Sequence, residues 1–354
     1  MSKKLRVAVV FGGVSSEYEV SLMSATSVIQ NIPQDRYEVV CIGITKSGRW
    51  LFYPGPVEEI ATGKWKDHPD CCPAIISPDR MHHGIIKIMQ DGSTSLLKLD
   101  CVFPVLHGKN GEDGTIQGLF ALSGIPFVGC DTLSSAVCMD KAMTHTIMDN
   151  AGIKNAKWNY MLASQLPQLD EFCTRVIDQL GFPVFVKPAN AGSSVGITKA
   201  TDYQSLRDGI KLAFTHDKKI VVEEMIVGKE VECAVLGNET PQASIPGEII
   251  SCNDFYDYEA KYIADSKLQI PADLDEDTTN RLREIAVKAY KAWGCSGMAR
   301  VDFFVTDQNE IYLNEPNTLP GFTSISMYPK MWEATGLPYG ELLSQLIELA
   351  IERA

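Results

Sequence analysis

An α/β and α+β protein is predicted, with an N-terminal parallel α/β domain ahead of a larger module built differently. Three observations predict it. Apolar, strand-length runs alternate with helical periods over the first 130 or so residues, the pattern of a parallel sheet with crossover helices. The texture then changes near Cys130, beyond which hairpins and short polar loops interrupt the alternation. Finally, 354 residues exceed what one core organises and suggest two or three domains.

The elements follow in order. Leu5–Phe11 is a buried strand running into Gly12-Gly13, and Val20–Ile29 is the helix after it. Tyr37–Thr45 is a second strand. Ile85–Met89 and Ser95–Leu99 flank Gln90-Asp91-Gly92-Ser93 as a hairpin. Cys101–Leu106 is a further apolar strand, followed by the polar, glycine-rich His107–Gly114. Ligand loops in α/β sheets lie at the carboxyl ends of strands, so Gly12–Glu19 and His107–Gly114 are both candidates. The residues between Leu51 and Gly92 receive no role. Beyond Cys130, Asp140–Asn150 is helical, Pro183–Pro188 a strand and Ala189–Gly196 a small polar loop. Leu206–Phe214 is helical; Ile220–Glu224, Glu230–Leu236 and Ile245–Ile250 are strands. From Ser251 to Lys267 a polar, aromatic stretch has no helical period. Asp277–Trp293 is a helix with Leu282, Ile285, Ala286, Ala289, Tyr290 and Trp293 on one stripe. Gly297–Val305 and Glu310–Asn314 form a hairpin, and Tyr339–Ile351 closes the chain as an amphipathic helix.

Composition excludes several classes. The chain has 32 Lys+Arg against 45 Asp+Glu, a net charge of −13, which repels phosphate backbones and anionic lipid. No nucleic-acid partner is expected. No run approaches the ~18–20 apolar residues of a membrane span, and Val7–Phe11 is too short for a signal peptide. Ten cysteines lack C-x-x-C spacing, and several sit in apolar strands. Scattered thiols of this kind fit a reducing cytoplasm better than a disulfide framework or a zinc site.

Four patterns carry chemistry. In Ala299–Phe304 and Tyr312–Asn317, a two-residue turn at Gln308-Asn309 would set Asp302 opposite Glu315 and bring Arg300, and approximately Asn317, to the same face. Opposed carboxylates repel unless a cation joins them, and an all-oxygen set suits Mg²⁺; a solvated face with Arg300 bridging the acids is the plainer alternative. Lys187 at a strand end precedes a loop, Ala189–Gly196, rich in backbone donors and hydroxyls that can cradle phosphate, or simply make a turn. It is not a G-x-x-x-x-G-K-[ST] loop, and G-x-G-x-x-G is absent too, which argues against a nicotinamide dehydrogenase. Lys141 begins a helix, where a cation is misplaced unless it meets an anion; otherwise it is a surface lysine. Glu223-Glu224-Met225-Ile226 ends a strand, with Glu230 beyond. Such a linker can present backbone to adenine and a carboxylate to ribose hydroxyls, or be an acidic turn.

Taken in chain order (Lys141, then Lys187 and its loop, then Glu223–Ile226 and Glu230, then Asp302, Glu315 and Asn317), the four patterns resemble the ATP-grasp superfamily, whose two α+β lobes hold ATP between them. Gly12–Ser21 (GGVSSEYEVS), His107–Gly118 (HGKNGEDGTIQG), Phe255–Tyr262 (FYDYEAKY) and Asn314–Ser326 (NEPNTLPGFTSIS) narrow the resemblance to the D-alanine–D-alanine ligase family, over essentially the whole chain. It implies an N-terminal α/β substrate domain over 1–130, a central ATP-grasp lobe over 131–224, and a C-terminal lobe over 225–354 with a mobile loop and the metal sites.

The resemblance also implies an activity: ATP phosphorylates the carboxylate of one D-alanine, and the amine of a second attacks the acylphosphate. Two Mg²⁺ (or Mn²⁺) would sit at Asp302, Glu315 and Asn317. Lys141 and Lys187 would bind the α- and β-phosphates, with Ser193, Ser194 and Val195 closing over the γ-phosphate. Glu223, Glu224, Ile226 and Glu230 match adenosine-binding positions. Glu17 would take the ammonium of the first D-alanine, with His107 beside it or bracing the loop. Ser193 and Tyr262 would join Glu17 in a hydrogen-bonded triad that locks a lid carrying Lys261. Arg300 and the Gly321 N–H would stabilise the oxyanion, and Ser326 with Arg300 would fix the second carboxylate. Met327 favours a methyl side chain there. A D-alanine–D-serine ligase, or a regulator that binds nucleotide without catalysis, are the other readings. The resemblance further implies a homodimer through the N-terminal domain, in the cytoplasm.

Overall fold

A computed structural model describes residues 3–192, 195–250 and 267–354. The first strand, β1 (Leu5–Gly12), is almost wholly apolar, and its last six residues are buried. Buried on both faces, it pairs in parallel with β2 (Tyr37–Ile44) and with β7 (Cys101–Val105), while α1 (Tyr18–Asn31) makes the crossover between β1 and β2. The expected parallel arrangement therefore holds for three strands. The residues left without a role extend it: β3 (Trp50–Tyr53), β4 (Cys72–Ile76), β5 (Gly84–Ile88) and β6 (Thr94–Lys98) add an antiparallel meander. The seven-stranded order is β6-β5-β4-β3-β2-β1-β7. Trp65, fully buried between α2 (Glu58–Ala61) and β4, packs edge-on against Phe11 at 5.1 Å and anchors this extension. The β5–β6 hairpin turns at Gln90–Gly92, with Gly92 at φ +82°, a conformation open to glycine.

Helices α3 (Thr115–Ser123), α4 (Thr132–Met139) and α5 (Lys141–Asn150) lead out of this sheet. Asp131 and Asp140 cap α4 and α5, each accepting first-turn N–H bonds. A second, four-stranded antiparallel sheet follows in the order β10-β9-β11-β8, from β8 (Trp158–Leu162), β9 (Val184–Pro188), β10 (Thr198–Ala200) and β11 (Lys219–Glu224). Val184, Val186, Ile220 and Val222 turn one face toward α6 (Leu169–Leu180) and α7 (Tyr203–Ala213), making a core with Phe172, Val176, Leu206 and Ile210. That leaves the odd residues of β9 and β11, among them Lys187 and Glu223, on the opposite face.

The third sheet runs β15-β14-β12-β16-β17, with β13 (Gln242–Ala243) beside β12. Its strands are β12 (Lys229–Gly237), β14 (Gly247–Ile250), β15 (Lys267–Gln269), β16 (Gly297–Val305) and β17 (Ile311–Asn317). The expected stripe of α8 (Glu276–Ala292) covers one face: Leu282, Ala286, Ala289, Tyr290 and Trp293 are buried, and Ile285 is half-buried against them. The other face carries Arg300, Asp302 and Glu230. The chain closes with α9 (Met327–Ala334) and α10 (Tyr339–Glu352), whose Trp332, Leu342, Leu346 and Ile347 share a core with Val7, Val9 and Phe103 of the first sheet. The two ends of the sequence are thereby packed together, and the loop 318–326 lies between the first and third sheets.

Candidate active site

The hairpin β16–β17 sets Asp302 directly opposite Glu315 and Arg300 opposite Asn317, as expected, but by a different route. Thr306 pairs with Glu310 (N···O 3.0 Å), so the turn holds three residues, Asp307–Asn309, with Asn309 at φ +58°. Asparagine tolerates that left-handed conformation better than most residues. Such a turn alone would put Asp302 across from Asn314. A β-bulge between the Asp302 and Phe303 pairs absorbs one residue and restores Glu315 to that place.

Each carboxylate of the pair is met by a cation. Arg300 clamps Asp302 through Nε and Nη2, both at 2.7 Å, and its Nε also lies 3.2 Å from Glu232 Oε2. Burial alone would lower the Arg300 pKa, but Asp302 and Glu232 overcome this and raise it well above its ordinary value. Lys141 Nζ lies 3.2 Å from Glu315 Oε2 and donates to Ala191 O at 3.0 Å. The misplaced cation at the start of α5 thus meets an anion, supplied by β17. Asn317 Oδ1 accepts from Leu319 N at 3.2 Å.

Across the cleft, Lys187 Nζ lies 2.6 Å from Glu223 Oε2, and His145 Nε2 lies 2.9 Å from Glu223 Oε1. Burial pushes the Glu223 carboxyl upward, but the charges of Lys187 and His145 win and hold it far below the usual carboxylate range. Glu224 instead accepts from Lys157 N at 2.8 Å. A cavity of about 140 Å³ is lined by Lys141, His145, Lys187, Glu223, Glu224, Ile226, Glu230, Asp302 and Glu315, so most of the expected nucleotide positions come together. Val195 is among the described residues, exposed at the loop, and does not line this cavity.

A larger cavity of about 700 Å³ adjoins it, sharing Lys141, Gly192, Glu232 and Glu315. Glu17, His107, Arg300, Asn317, Gly321, Ser326 and Met327 line it, gathered from the first sheet, the third sheet and the loop between them. Glu17 heads α1 and is 8% exposed; a methyl on Gly108 would lie 2.5 Å, and one on Gly192 3.4 Å, from its Oε2. Its carboxylate therefore reaches both glycine-rich loops. Ser326 Oγ accepts from Thr323 N at 2.9 Å, and a methyl on Gly321 would lie 2.7 Å from that oxygen. His107 lines the cavity and also braces it: Nδ1 faces Leu319 O at 3.1 Å and Nε2 faces Ser24 Oγ at 3.3 Å. Leu319 O can only accept, so Nδ1 donates to it; in the neutral ring Nε2 then accepts from the Ser24 hydroxyl, whose oxygen also accepts from Phe322 N at 3.3 Å. Burial lowers the His107 pKa against the pull of Glu17, consistent with that neutral form. Ser193, Ser194, Lys261 and Tyr262 lie outside the described residues, so the triad can be followed only at Glu17.

Three residues join the site that sequence reasoning passed over. His145 lies four residues after Lys141, the helical spacing that shares a face. Glu232 alternates with Glu230 along β12, and that period-2 signal was legible. Glu112 lies within HGKNGEDG, with no pattern to single it out. Its Oε2 accepts from Gly108 N at 2.7 Å, and burial, with Glu17 adding to it, pushes the carboxyl up to about 8. The native carboxyl thus keeps a proton that the unfolded chain loses near 4.5, and stability falls as pH rises between those values. Glu112→Gln keeps the acceptor and removes the titration. Its stability relative to wild type, read from melts between pH 5 and 8, is expected to rise progressively with pH, by at most about 1.4 kcal/mol per pH unit; parallel curves would refute a buried, protonated Glu112.

Two lobes that face a pair of lysines and an acidic linker across a cleft, one of them carrying an Asp–Glu–Asn hairpin, define the ATP-grasp class, here joined to an N-terminal α/β domain. Residues 6–130 match the family model for the D-ala D-ala ligase N-terminus, and residues 147–348 the model for its C-terminus. The chain belongs to the D-alanine–D-alanine ligase family. It is 50% identical to the D-alanine–D-alanine ligase of Acetivibrio thermocellus, over 100% of this chain and 97% of that protein. Among solved structures it is similar to the VanG D-Ala:D-Ser ligase of Enterococcus faecalis (45% identity, TM-score 0.91, 98% and 100% of the two chains). The D-alanine–D-alanine ligase of Coxiella burnetii is also similar (38%, TM-score 0.86, 99% and 96%).

Proposed function

We propose that this chain joins two D-alanine molecules into D-alanyl-D-alanine, with conversion of ATP to ADP and phosphate, for peptidoglycan precursor synthesis. The observation that supports this most is the adjacency of the two cavities: a cleft lined by Lys141, Lys187 and Glu223 meets, at Lys141 and Glu315, a chamber bearing Glu17 and Arg300. Lys141 and Lys187 hold the polyphosphate, with Glu223, Glu224, Ile226 and Glu230 along the adenosine and the 193–195 loop over the γ-phosphate. Asp302, Glu315 and Asn317 offer oxygen ligands, the donor chemistry that suits two Mg²⁺ or Mn²⁺, for which the ions would compete with Arg300 and Lys141. Such ions supply charge neutralisation to the transferring phosphoryl group.

Glu17 orients the first D-alanine through its ammonium so that the carboxylate points to the γ-phosphate. Arg300 and the Gly321 N–H stabilise the oxyanion that forms when the second amine attacks the acylphosphate. Ser326 and Arg300 hold the second carboxylate. Ser193, Tyr262 and Lys261 complete the triad and the lid that keeps water from the acylphosphate. A D-serine acceptor is the second reading, favoured by the resemblance to a D-Ala:D-Ser ligase. Met327, 5% exposed on the chamber wall, supports D-alanine instead, because its apolar side chain offers nothing to a hydroxyl. The test is product analysis with ATP and equimolar D-Ala and D-Ser, with L-Ala and D-lactate as controls. D-Ala-D-Ala as the main product is expected; D-Ala-D-Ser would favour the second reading, and ADP formed without any ligated product would refute both.

The division at about residues 130 and 224 separates substrate domain, central lobe and C-terminal lobe in this reading. A homodimer through the N-terminal domain is supported by Met81 and Leu122, large apolar side chains exposed there. The nine described cysteines carry free thiols, which suits the cytoplasm.

A further inference from the structure

We propose that His145 is a charged positioning residue for the nucleotide: as an imidazolium it balances Glu223, so that Lys187 is released to bind phosphate. This rests on the reading of Lys187 as a phosphate ligand. The ring is 2% exposed, and both its nitrogens face oxygen. Nε2 lies 2.9 Å from Glu223 Oε1, and Nδ1 lies 2.9 Å from Asn155 Oδ1. The Asn155 amide is oriented independently of the histidine, since its Nδ2 donates to Asp149 Oδ1 at 2.8 Å and to Ile153 O at 3.1 Å. The atom it turns to His145 is therefore the oxygen, which has no proton to give. Glu223, held ionised beside Lys187, has none either. Each ring nitrogen must then carry its own proton, the condition that defines the imidazolium.

The surroundings suit that charge. Trp158 stacks on the ring with centroids 5.1 Å apart and planes 17° apart, offering a cation its electron-rich face. The indole Nε1 of Trp158 donates to Asp149 Oδ2 at 2.9 Å, so one carboxylate fixes both the stacked ring and the amide. At Glu223 itself two cations, Lys187 and His145, meet one carboxylate, while Glu315 and Glu230 add negative charge beside Lys187. With both present, Lys187 can turn to an incoming polyphosphate without leaving Glu223 buried and unbalanced. With a neutral residue at 145 the same movement strands that carboxylate, the situation that buried charges resist most strongly. Lys187 would then stay with Glu223, and nucleotide affinity would fall.

The test compares His145→Gln, His145→Lys and Lys187→Ala in ADP affinity by calorimetry and in the steady-state KM for ATP and kcat. His145→Gln is expected to raise both the ADP Kd and the ATP KM about tenfold, the scale of one lost charge-assisted hydrogen bond, with kcat nearly retained. His145→Lys, a permanent cation, is expected to restore affinity to within about threefold of wild type. Unchanged affinity in His145→Gln overturns the proposal, and so does a His145→Lys protein that binds ADP as weakly as His145→Gln. If His145→Gln does not give a cooperative melt, His145→Lys decides alone: near-wild-type ADP affinity supports the charge role, and affinity as weak as that of Lys187→Ala overturns it. Lys187→Ala separates the two levels. Undiminished ADP affinity there removes the phosphate reading itself, whereas a loss there with none in His145→Gln overturns only the role of His145.

Discussion

Glu315→Gln is expected to lower kcat for dipeptide synthesis about 10³-fold, equivalent to ~4 kcal/mol of lost transition-state stabilisation, while the protein still melts cooperatively. The size follows from position. Glu315 is brought opposite Asp302 by the β-bulge, pairs with Lys141 and lines both cavities. On the proposed reading, removing its charge would weaken cation binding beside the transferring phosphoryl group. The structural cost is small by comparison. Lys141 keeps its bond to Ala191 O, and the Glu315 side chain is 32% exposed, so the lost ion pair is worth at most about 1 kcal/mol of stability. The measurements are kcat at saturating ATP and D-alanine, a Mn²⁺ titration with ADP present, and a thermal melt. Near-wild-type turnover at saturating Mg²⁺ would sink the assignment of Glu315 as a metal ligand.

Arg300→Lys should cost about 10²-fold in kcat, the scale of losing one well-placed oxyanion donor. Lysine keeps the charge among Glu232 and Asp302, so buried Glu232 and half-buried Asp302 are not left without a cation. It cannot reproduce the planar fork that holds Asp302 at two points while still reaching Glu232. The KM for the acceptor D-alanine should rise as well, because Arg300 would also hold the second carboxylate; the ATP KM should barely change. A variant whose kcat and acceptor KM both match wild type would leave Arg300 a structural bridge between two acids, and the oxyanion would need another donor.

Much of this site was legible before the fold was known. The apolar runs of β1, β7, β9 and β11 follow from period and composition, and so does the buried stripe of α8. Asp140 and Lys141 mark the start of α5 by capping preference and by a cation that needs an anion. The Asp302–Glu315 pairing is instructive because two departures cancelled: the turn holds one residue more than the shortest hairpin, and the bulge at Asn314 takes it back. Bulges have only a weak local signature. Their cause is often what lies on the face they re-aim, here the apolar side that needs Phe303 and Leu313 in the core and the polar side that needs Glu315 in the cleft.

By itself, then, the sequence determined the alternation of elements and, through motifs in order, the membership in a family, whose residue types suggest where a cation and a phosphate would bind. Local preference is enough for that, because hydrogen-bonding period, capping and residue chemistry act over a few positions. The tertiary structure alone decided which of these groups meet. Glu17 reaches Gly108 and Gly192 across long stretches of chain, and His107 ties Ser24 to Leu319 because the C-terminal helices share a core with β1 and β7. Glu112 gained its raised pKa, and His145 its two acceptors, from neighbours that only burial assembled. Charges separated in sequence become strongly coupled when packing removes the water between them, and no local pattern encodes where that water is lost.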